Sequence, residues 1–365
     1  MADFCEFNYE DLVTFLQAQG EKEFHAKQLI NWVYQKSVTN WDEMTNLSKE
    51  LRAKLAKQLH LPTLECVRVL PSADGETYKF LWKLREGNLV ESVLICSGDR
   101  RTVCISSQVG CPAKCAFCAS GQQGFVRNLR PAEIVEQVVQ INAWLAKKEE
   151  RVSHIVYMGM GEPLKNYDSV IKSIRMICDP SLLNISQRRV TVSTVGVVEG
   201  IKRLTTEDLK VNLVLSLHAP NQHIRKKIIP YARKYPLEDI MAAMDEYTKK
   251  TKRDITYEYV LLAGVNDHPD HAHELAHLLH GKQCTVNLIP YNPVIGIKLK
   301  RPDKKAIKQF RTVLFGSKVV NTCRYTKGDD IAAACGQLAM HEAAKNSEAA
   351  SSLPMAPQES SEVAC

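Results

Sequence analysis

The hydrophobic positions of the first 60 residues recur at helical spacing. Three amphipathic segments follow one another, YEDLVTFLQAQ, FHAKQLINWVYQ and LSKELRAKLAKQL, and Ser48 stands where it can cap the third. Between residues 64 and 98 the pattern changes to runs rich in β-formers, ECVRVLPS, TYKFLWKL and LVESVLIC, with DG and EGN as turn signals. These patterns predict a small helical domain over residues 1–62 and a short β-hairpin linker over 63–98.

From about residue 101, apolar strands alternate with helical segments. The strand candidates are RTVCISSQ, SHIVYMG, RRVTVST, KVNLVLSL, DITYEYVLL, CTVNLIP and KVVNTCRY, and helices are predicted at 131–147, 167–177, 236–250, 269–280 and 303–314. Repeated units of this length predict an α/β fold, a full or partial (β/α) barrel, over residues 99–340. Residues 341–365, rich in Ala, Ser, Pro and Glu, predict a disordered tail.

Composition is that of an ordinary globular protein, with 45% hydrophobic and 24% charged residues. No segment approaches the roughly 20 apolar residues of a membrane span, so we expect no membrane partner. We expect a cytoplasmic location, where the 12 cysteines stay reduced. The net charge of +7 is concentrated in HIRKKIIPYARKY, KLKRPDKKAIK and FVRNLRP. Each stretch alone is typical of a solvated loop, but together they favour a nucleic-acid partner.

Six unusual short stretches each follow a predicted strand. They are QVGCPAKCAFC, GMGEP, STVG, SLHAP, IPYNP and GDDIAAACGQ. The carboxyl ends of barrel strands meet at one face, where barrel enzymes build their active sites. The sequence therefore predicts a single large site assembled from these loops.

The spacing of Cys111, Cys115 and Cys118 is C-x3-C-x2-C. Zinc would need a fourth nitrogen or sulfur ligand, and no second ligand pair follows at the usual spacing. A [4Fe–4S] cluster held by three cysteines leaves one iron open for another ligand. The motif favours the iron–sulfur cluster, but zinc remains an alternative because thiolates suit both.

Two further motifs have simpler interpretations. HELAH, residues 273–277, matches the zinc-protease helix pattern, but it lies in a histidine-rich stretch and lacks a third ligand, so we interpret it as a solvated helix face. GMGEP, residues 159–163, lacks the third glycine of a dinucleotide fingerprint. We expect its glycines to admit a ligand close to the backbone, while Glu162 binds a cation such as an α-amino group.

The motifs as an ordered set resemble the RlmN/Cfr family of radical S-adenosylmethionine (SAM) RNA methyltransferases. The resemblance is carried by CxxxCxxC, MGMGEPLKNYDSV, RVTVSTVGVV, LSLHAPNQHIRKKIIP, VNLIPYNP and GDDIAAACGQL, and runs from about residue 8 to 340. It implies a partial radical-SAM barrel with an RNA-contacting N-terminal domain. It also implies methylation of adenosine C2 in the peptidyl-transferase centre of 23S rRNA and 3′ of the tRNA anticodon. The alternatives are Cfr-like methylation of C8 and a non-catalytic, zinc-stabilised RNA-binding protein.

The family's functional residues have counterparts at matching positions. The resemblance implies cluster ligation by Cys111, Cys115 and Cys118, and contacts to SAM, used twice per turnover, by Gly161, Glu162, Ser193, Ser216, Leu217, His218 and Asn292. Cys335 matches the cysteine that becomes S-methylated, Cys104 the one that resolves the product by forming a disulfide, and Glu91 the proton acceptor. Val195 departs from the family pattern, since many relatives have serine there. The expected partners are rRNA, tRNA and a flavodoxin- or ferredoxin-type reductant, with the protein itself a monomer.

Overall fold

The N-terminal segment is helical, as the sequence predicts. The computed structural model describes residues 1–324 and 327–338, so the predicted tail, 341–365, lies outside the described residues. The first elements are β1 (Ala2–Asp3), α1 (Tyr9–Gln17), α2 (Phe24–Ile30), α3 (Lys49–Ala56) and β2 (Leu59–His60). Side-chain caps from Asn8 and Ser48 begin α1 and α3. Strands β1 and β2 pair in parallel, which closes this segment on itself.

A ten-stranded sheet forms the centre of the molecule. Its strands are β3 (Glu65–Pro71), β4 (Thr77–Lys83), β5 (Leu89–Ser97), β6 (Arg100–Cys104), β9 (His154–Tyr157), β10 (Val190–Thr194), β11 (Asn212–Ser216), β12 (Ile255–Leu261), β13 (Cys284–Pro290) and β14 (Asn321–Cys323). Strands β6 and β9–β14 lie side by side in chain order, and each pairs in parallel with the next. On the other side of β6, strands β5, β4 and β3 continue the sheet with antiparallel pairing. The predicted hairpin linker is therefore a three-stranded extension of the barrel sheet.

Helices follow the parallel strands, which confirms the predicted partial (β/α) barrel. They are α4 (Ala119–Gln122), α5 (Pro131–Ala146), α6 (Tyr167–Cys178), α7 (Val198–Thr206), α8 (Gln222–Ile228), α9 (Leu237–Thr251), α10 (Pro269–Leu278) and α11 (Lys304–Gly316). The first predicted barrel strand, RTVCISSQ, ends early at Cys104. A separate strand, β7 (Gln108–Gly110), pairs with β8 (Phe125–Asn128) and brackets the three-cysteine loop.

One apolar core runs through the N-terminal helices and the barrel. Phe4, Leu12 and Leu29 belong to the same buried cluster as Val135 and Ile155. The N-terminal helices therefore pack against the barrel rather than standing apart from it. None of the helices among residues 1–324 and 327–338 is long and apolar enough to cross a membrane.

The basic stretch FVRNLRP differs from the prediction of a solvated, positively charged turn. It lies partly in β8, and Arg127 pairs with Glu86 and Glu133 at 3.1 and 2.8 Å. Arg130 pairs with Asp3 and Glu133 at 3.0 and 3.1 Å. These arginines link α5 to the first strand of the chain, so their charge serves packing and is not free for RNA.

A buried carboxylate fastens the segment before β3 to the barrel. Glu136 on α5 accepts hydrogen bonds from the backbone N–H groups of Thr63 and Leu64 at 2.7 and 2.9 Å. Burial raises the pKa of Glu136 from 4.5 to about 7, although the two N–H groups act in the opposite direction. Between pH 4.5 and about pH 7, the folded state therefore keeps a proton on Glu136 that the unfolded chain has already lost.

This difference predicts a pH-dependent stability. Because the folded pKa is raised, the contribution of Glu136 is present at pH 5 and lost as pH rises through about 7. Between pH 5 and pH 8 the unfolding free energy of the wild type should fall by about 2–3 kcal/mol more than that of Glu136→Gln, measured in urea at matched iron content. Glu50→Gln, at an exposed position on α3, should follow the wild type. Parallel pH profiles for wild type and Glu136→Gln would contradict the assignment.

Candidate active site

The loops after the parallel strands enclose one cavity at the carboxyl ends of the strands. Its empty volume, counted together with space open to solvent, is about 960 Å³. The sequence-predicted residues that line it are Cys111, Cys115, Cys118, Gly161, Glu162, Ser193, Ser216, His218 and Cys335. The structure thus brings the three-cysteine loop together with the loops after β9, β10 and β11.

The three-cysteine loop is rigidly held between neighbouring loops. The N–H of Ala116 donates to the carbonyl of Ile228 at 2.9 Å, and the N–H of Ala119 donates to the carbonyl of Gly336 at 2.7 Å. Gly121 is required here, because an added Cβ would lie 2.9 Å from the backbone nitrogen of Cys115. These contacts fix the loop against α8 on one side and against the loop that carries Cys335 on the other.

Burial raises the pKa of all three thiols, and that of Cys111 reaches about 12. Backbone N–H groups partly offset this rise in pKa. Those of Ala113 and Gly161 donate to the Cys111 sulfur, and that of Gly121 donates to the Cys118 sulfur. Buried thiolates need a cationic partner, and N–H groups aimed at sulfur are typical of iron–sulfur sites. The donor set and its surroundings therefore fit a cluster held by three thiolates.

The described part of the chain offers no single-ion metal site beside the cysteines. In residues 1–324 and 327–338 no group of three or more His, Cys, Asp or Glu side chains is arranged to hold a metal ion. The histidines around HELAH confirm the predicted solvated face, since His268, His273, His277 and His280 are exposed. Neither zinc alternative gains support from the described part of the chain.

The GMGEP turn places a buried carboxylate at the cavity wall. Gly161 has φ +109°, and an added Cβ would lie 2.7 Å from the Cβ of Gln108, so this backbone path requires glycine. Glu162 accepts N–H groups from Val195 at 2.8 Å and Leu164 at 3.0 Å. Burial nevertheless raises the pKa of Glu162 to about 7. A carboxylate fixed in this way can bind an ammonium group, and the positive charge of that group would favour the charged form of Glu162.

The ends of β10 and β11 supply hydroxyl groups and one neutral imidazole. The Oγ atoms of Ser193 and Ser216 lie 3.3 Å apart at the cavity wall. Burial and the charge of Arg225 lower the pKa of His218 to about 3. Its Nδ1 accepts the N–H of Val260 at 3.0 Å, so Nε2 carries the ring proton. Leu217 is buried and is not among the cavity-lining residues.

Cys335 lies at the cavity on a loop that is hydrogen-bonded to the loop after β13. Asn292 donates to its carbonyl at 3.3 Å, and Gln337 donates to the carbonyl of Pro293 at 2.9 Å. The residue is exposed towards the cavity, but the surrounding protein raises the pKa of its thiol. The charges of Glu258, Cys104 and Cys118 raise it further. The structure therefore brings both Cys104 and Cys118 into the electrostatic neighbourhood of the Cys335 sulfur.

Cys104 and Glu91 occupy different surroundings. Cys104 ends β6, and burial raises the pKa of its thiol to about 12. Glu91 lies on β5 and lines a second cleft on the other side of the Cys335 loop, where Lys79 lies 3.4 Å from its carboxylate. The predicted proton acceptor is thus next to the Cys335 loop but is not a wall of the cysteine-lined cavity.

The sequence reasoning missed two charged residues of this site. Glu258, inside the apolar run DITYEYVLL, lines the cavity, accepts the side-chain amide of Asn287 at 2.9 Å and has its pKa raised by burial. A carboxylate in the middle of an otherwise apolar β-strand was the available signal. Arg225 was counted with a basic surface stretch, but it is completely buried. It donates to the carbonyl groups of Val195, Ser216 and Leu217.

Comparison with known proteins agrees with this geometry. Residues 2–61 match the ribosomal RNA large subunit methyltransferase N-terminal domain, and residues 105–276 match the radical SAM superfamily. A probable dual-specificity RNA methyltransferase RlmN 2 of Protochlamydia amoebophila is 75% identical over 340 residues, 93% of this chain and 95% of that protein. The probable dual-specificity RNA methyltransferase RlmN of Thermotoga petrophila is 44% identical over 338 residues, 93% of this chain and 97% of that protein. A solved radical SAM methyltransferase from Sphaerobacter thermophilus superposes with a TM-score of 0.91 at 41% identity, covering 93% of this chain and 99% of that one.

Arg225 should matter for stability because three strand-end carbonyls depend on it. Arg225→Met leaves those buried acceptors without their donor and should lower the unfolding free energy in urea by about 3 kcal/mol. Arg225→Lys keeps the charge but not the planar fork, so it should recover only part of the loss. Lys226→Met, exposed on the same helix, should stay within about 0.5 kcal/mol of the wild type. An Arg225→Met protein as stable as the wild type would refute this role.

Proposed function

The chain belongs to the RlmN family of radical-SAM RNA methyltransferases, and we propose that it methylates C2 of adenosine in 23S rRNA and tRNA. The curated relatives that match it over most of their length are named dual-specificity RNA methyltransferases. The observation that carries the proposal is the single cavity lined by the three-cysteine loop and Cys335. That arrangement supports a thiol that works beside a cluster.

Two alternatives are less well supported. Methylation of C8 would place the chain with the Cfr branch, whereas both relatives are named RlmN. A zinc-stabilised RNA-binding protein would need side chains that converge on one ion, and the described residues offer no such group. A four-iron cluster takes each thiolate on a different iron, so its ligands do not have to converge in this way.

The cofactor-binding part of the proposal uses the cavity walls together with Leu217 and Asn292, which are not among the lining residues. Cys111, Cys115 and Cys118 would ligate a [4Fe–4S] cluster, and SAM would contact Gly161, Glu162, Ser193, Ser216, Leu217, His218 and Asn292. When bound, the cluster and SAM supply the 5′-deoxyadenosyl radical that an unreactive adenine C–H bond requires. Buried Glu162 would hold the α-amino group of SAM. The apolar wall of Ala113, Val260 and Ile289 would exclude water from the reacting atoms.

Three residues would act on the methyl group and on the RNA. The Cys335 sulfur takes a methyl group from one SAM by displacement. After the radical chemistry has removed one hydrogen atom from this methyl group, its carbon can bond to adenine C2, and protein and RNA then form one covalent species. The adduct would lose its ring proton to Glu91 and one electron to the cluster, and the Cys104 thiol would then give up its proton and attack the Cys335 sulfur. The sulfur–carbon bond breaks with its electron pair left on the adenine substituent, which takes up a proton and becomes the methyl group, and a Cys104–Cys335 disulfide remains.

The partners follow from this cycle. The cluster needs one-electron reduction before the first turnover, since the adduct returns this electron, and each turnover needs two-electron reduction of the disulfide. We assign the first to a flavodoxin- or ferredoxin-type protein, acting on a cytoplasmic monomer. The basic stretches 223–235 and 298–308, without the buried Arg225, and the N-terminal helices would bind RNA phosphates, so affinity should fall with salt.

The cluster assignment predicts an all-or-none effect of single substitutions. Cys111→Ala, Cys115→Ala and Cys118→Ala should each abolish iron binding and SAM cleavage, because two thiolates cannot hold the cluster. Cys284→Ala, on β13 and not among the cavity-lining residues, is the matched control and should keep both. Iron and sulfide content and visible absorbance after anaerobic reconstitution measure the outcome. A full cluster in any of the three variants would contradict the ligand set.

The two-thiol assignment predicts different failures for its two cysteines. Cys335→Ala should lose all RNA methylation, since no carbon can be carried to the RNA. Cys104→Ala should still bond to adenine but should not release it, so a covalent protein–RNA adduct should accumulate. Nuclease trimming and peptide mass spectrometry should place the adduct on the peptide that contains Cys335. Normal turnover by Cys104→Ala, or an adduct on another cysteine, would remove this account of product release.

A further inference from the structure

A second cleft lies beside the Cys335 loop, with an empty volume of about 970 Å³. Strands β3 and β4 supply Arg68, Leu70 and Leu81 to one wall, and the loop after β13 supplies Pro293 and Ile295 to the other. Its lining combines aliphatic side chains with two cations, Arg68 and Lys79, and with the carboxylates of Glu91, Asp329 and Asp330. Such walls suit a planar, polar-edged group carried on a phosphate backbone.

The floor of the cleft is a buried ion pair. The Nζ of Lys79 lies 3.4 Å from Oε1 of Glu91, and each side chain is almost fully buried. The same Nζ donates to the carbonyl of Ala332 at 3.3 Å. Lys79 therefore holds the carboxylate and the Cys335 loop in a fixed relation to each other.

The cleft and the cysteine-lined cavity meet along one loop. Cys335 and Gly336 line the cavity, while Ala332 and Gln337 line the cleft. In the proposed function the same adenine ring must reach the carbon on Cys335 and give its proton to Glu91. An adenine ring that reaches both Cys335 and Glu91 has to lie against the Cys335 loop, where the cavity and the cleft meet. Its sugar and phosphate then lie in the cleft.

The rim of the cleft carries an unusual apolar side chain. Ile295 is 87% exposed, and Lys298 and Lys300 follow it on the same loop. The acids of the cleft are engaged elsewhere, Asp329 with Arg301 and Asp330 with the N–H of Ala73. A single exposed aliphatic residue beside cations matches the apolar wedges that proteins insert between nucleic-acid bases.

We propose that this cleft admits the extruded target nucleotide and that Ile295 takes the place of its base in the RNA stack. Extruding a base loses its stacking on its neighbours, and an inserted side chain offsets part of that loss. The inference rests on the proposed function, because it is Cys335 and Glu91 that define where the base must arrive.

The test compares two exposed apolar residues in the holoenzyme. Ile295→Asn removes the wedge without adding charge, and Phe315→Asn makes the same change on α11, at a side chain that is 80% exposed. Ile295→Asn should lower kcat/KM for tRNA methylation at least tenfold, while iron content and SAM cleavage without RNA stay within twofold of the wild type. Phe315→Asn should match the wild type in all three measurements. Equal RNA kinetics for Ile295→Asn and wild type would overturn the wedge.

A crosslink locates the nucleotide independently of kinetics. tRNA carrying 8-azidoadenosine at the target position, irradiated with Cys335→Ala holoenzyme, should label peptides from 68–81 or 293–297. Labelling confined to other peptides would overturn the cleft, while RNA methylation by the wild type would still support the proposed function. A wild type that methylates no RNA would overturn both.

Discussion

The loop that carries Cys335 is the constraint on which the site depends. Its backbone is bound at Gly336 by the N–H of Ala119, at Cys335 by Asn292 and at Ala332 by Lys79. These donors come from the three-cysteine loop, from the end of β13 and from the antiparallel extension of the sheet. Each is a hydrogen bond worth about 1 kcal/mol alone. Together they set the Cys335 thiol between the three-cysteine loop and the carboxylate of Glu91, the proposed proton acceptor.

The antiparallel extension, strands β3–β5, adds a second cleft beside the cavity of the barrel. A parallel barrel alone supplies the cavity at its carboxyl ends, and that cavity suffices to hold a cluster and SAM. Strands β3–β5 add a wall beside it, with Glu91 and Lys79 facing the Cys335 loop. Antiparallel pairing of β5 with β6 also sets Cys104 opposite Val93. The proposed resolving thiol, Cys104, and the proposed proton acceptor, Glu91, are therefore positioned by the same sheet.

Much of this was predictable from sequence, for identifiable reasons. Hydrophobic period predicted the helices and strands, and strand-to-loop order predicted which motifs would meet, since parallel strands end on one face. Side-chain direction was not predictable from composition. Arg225 lies next to exposed lysines in the sequence, yet its side chain is buried. Arg127 and Arg130 both form ion pairs with Glu133. The cleft was also missed, because its walls come from segments more than 200 residues apart in the chain.

Mapping the methyl group on the purified protein tests the central claim most directly. The enzyme is isolated after SAM turnover without RNA, digested under non-reducing conditions, and every cysteine-containing peptide is analysed by mass spectrometry. The account predicts an added methyl group on Cys335 and on none of Cys104, Cys111, Cys115 or Cys118. A methyl group on one of those four cysteines, with Cys335 unmodified, would contradict it, because the loop would then hold the wrong thiol at the reacting position.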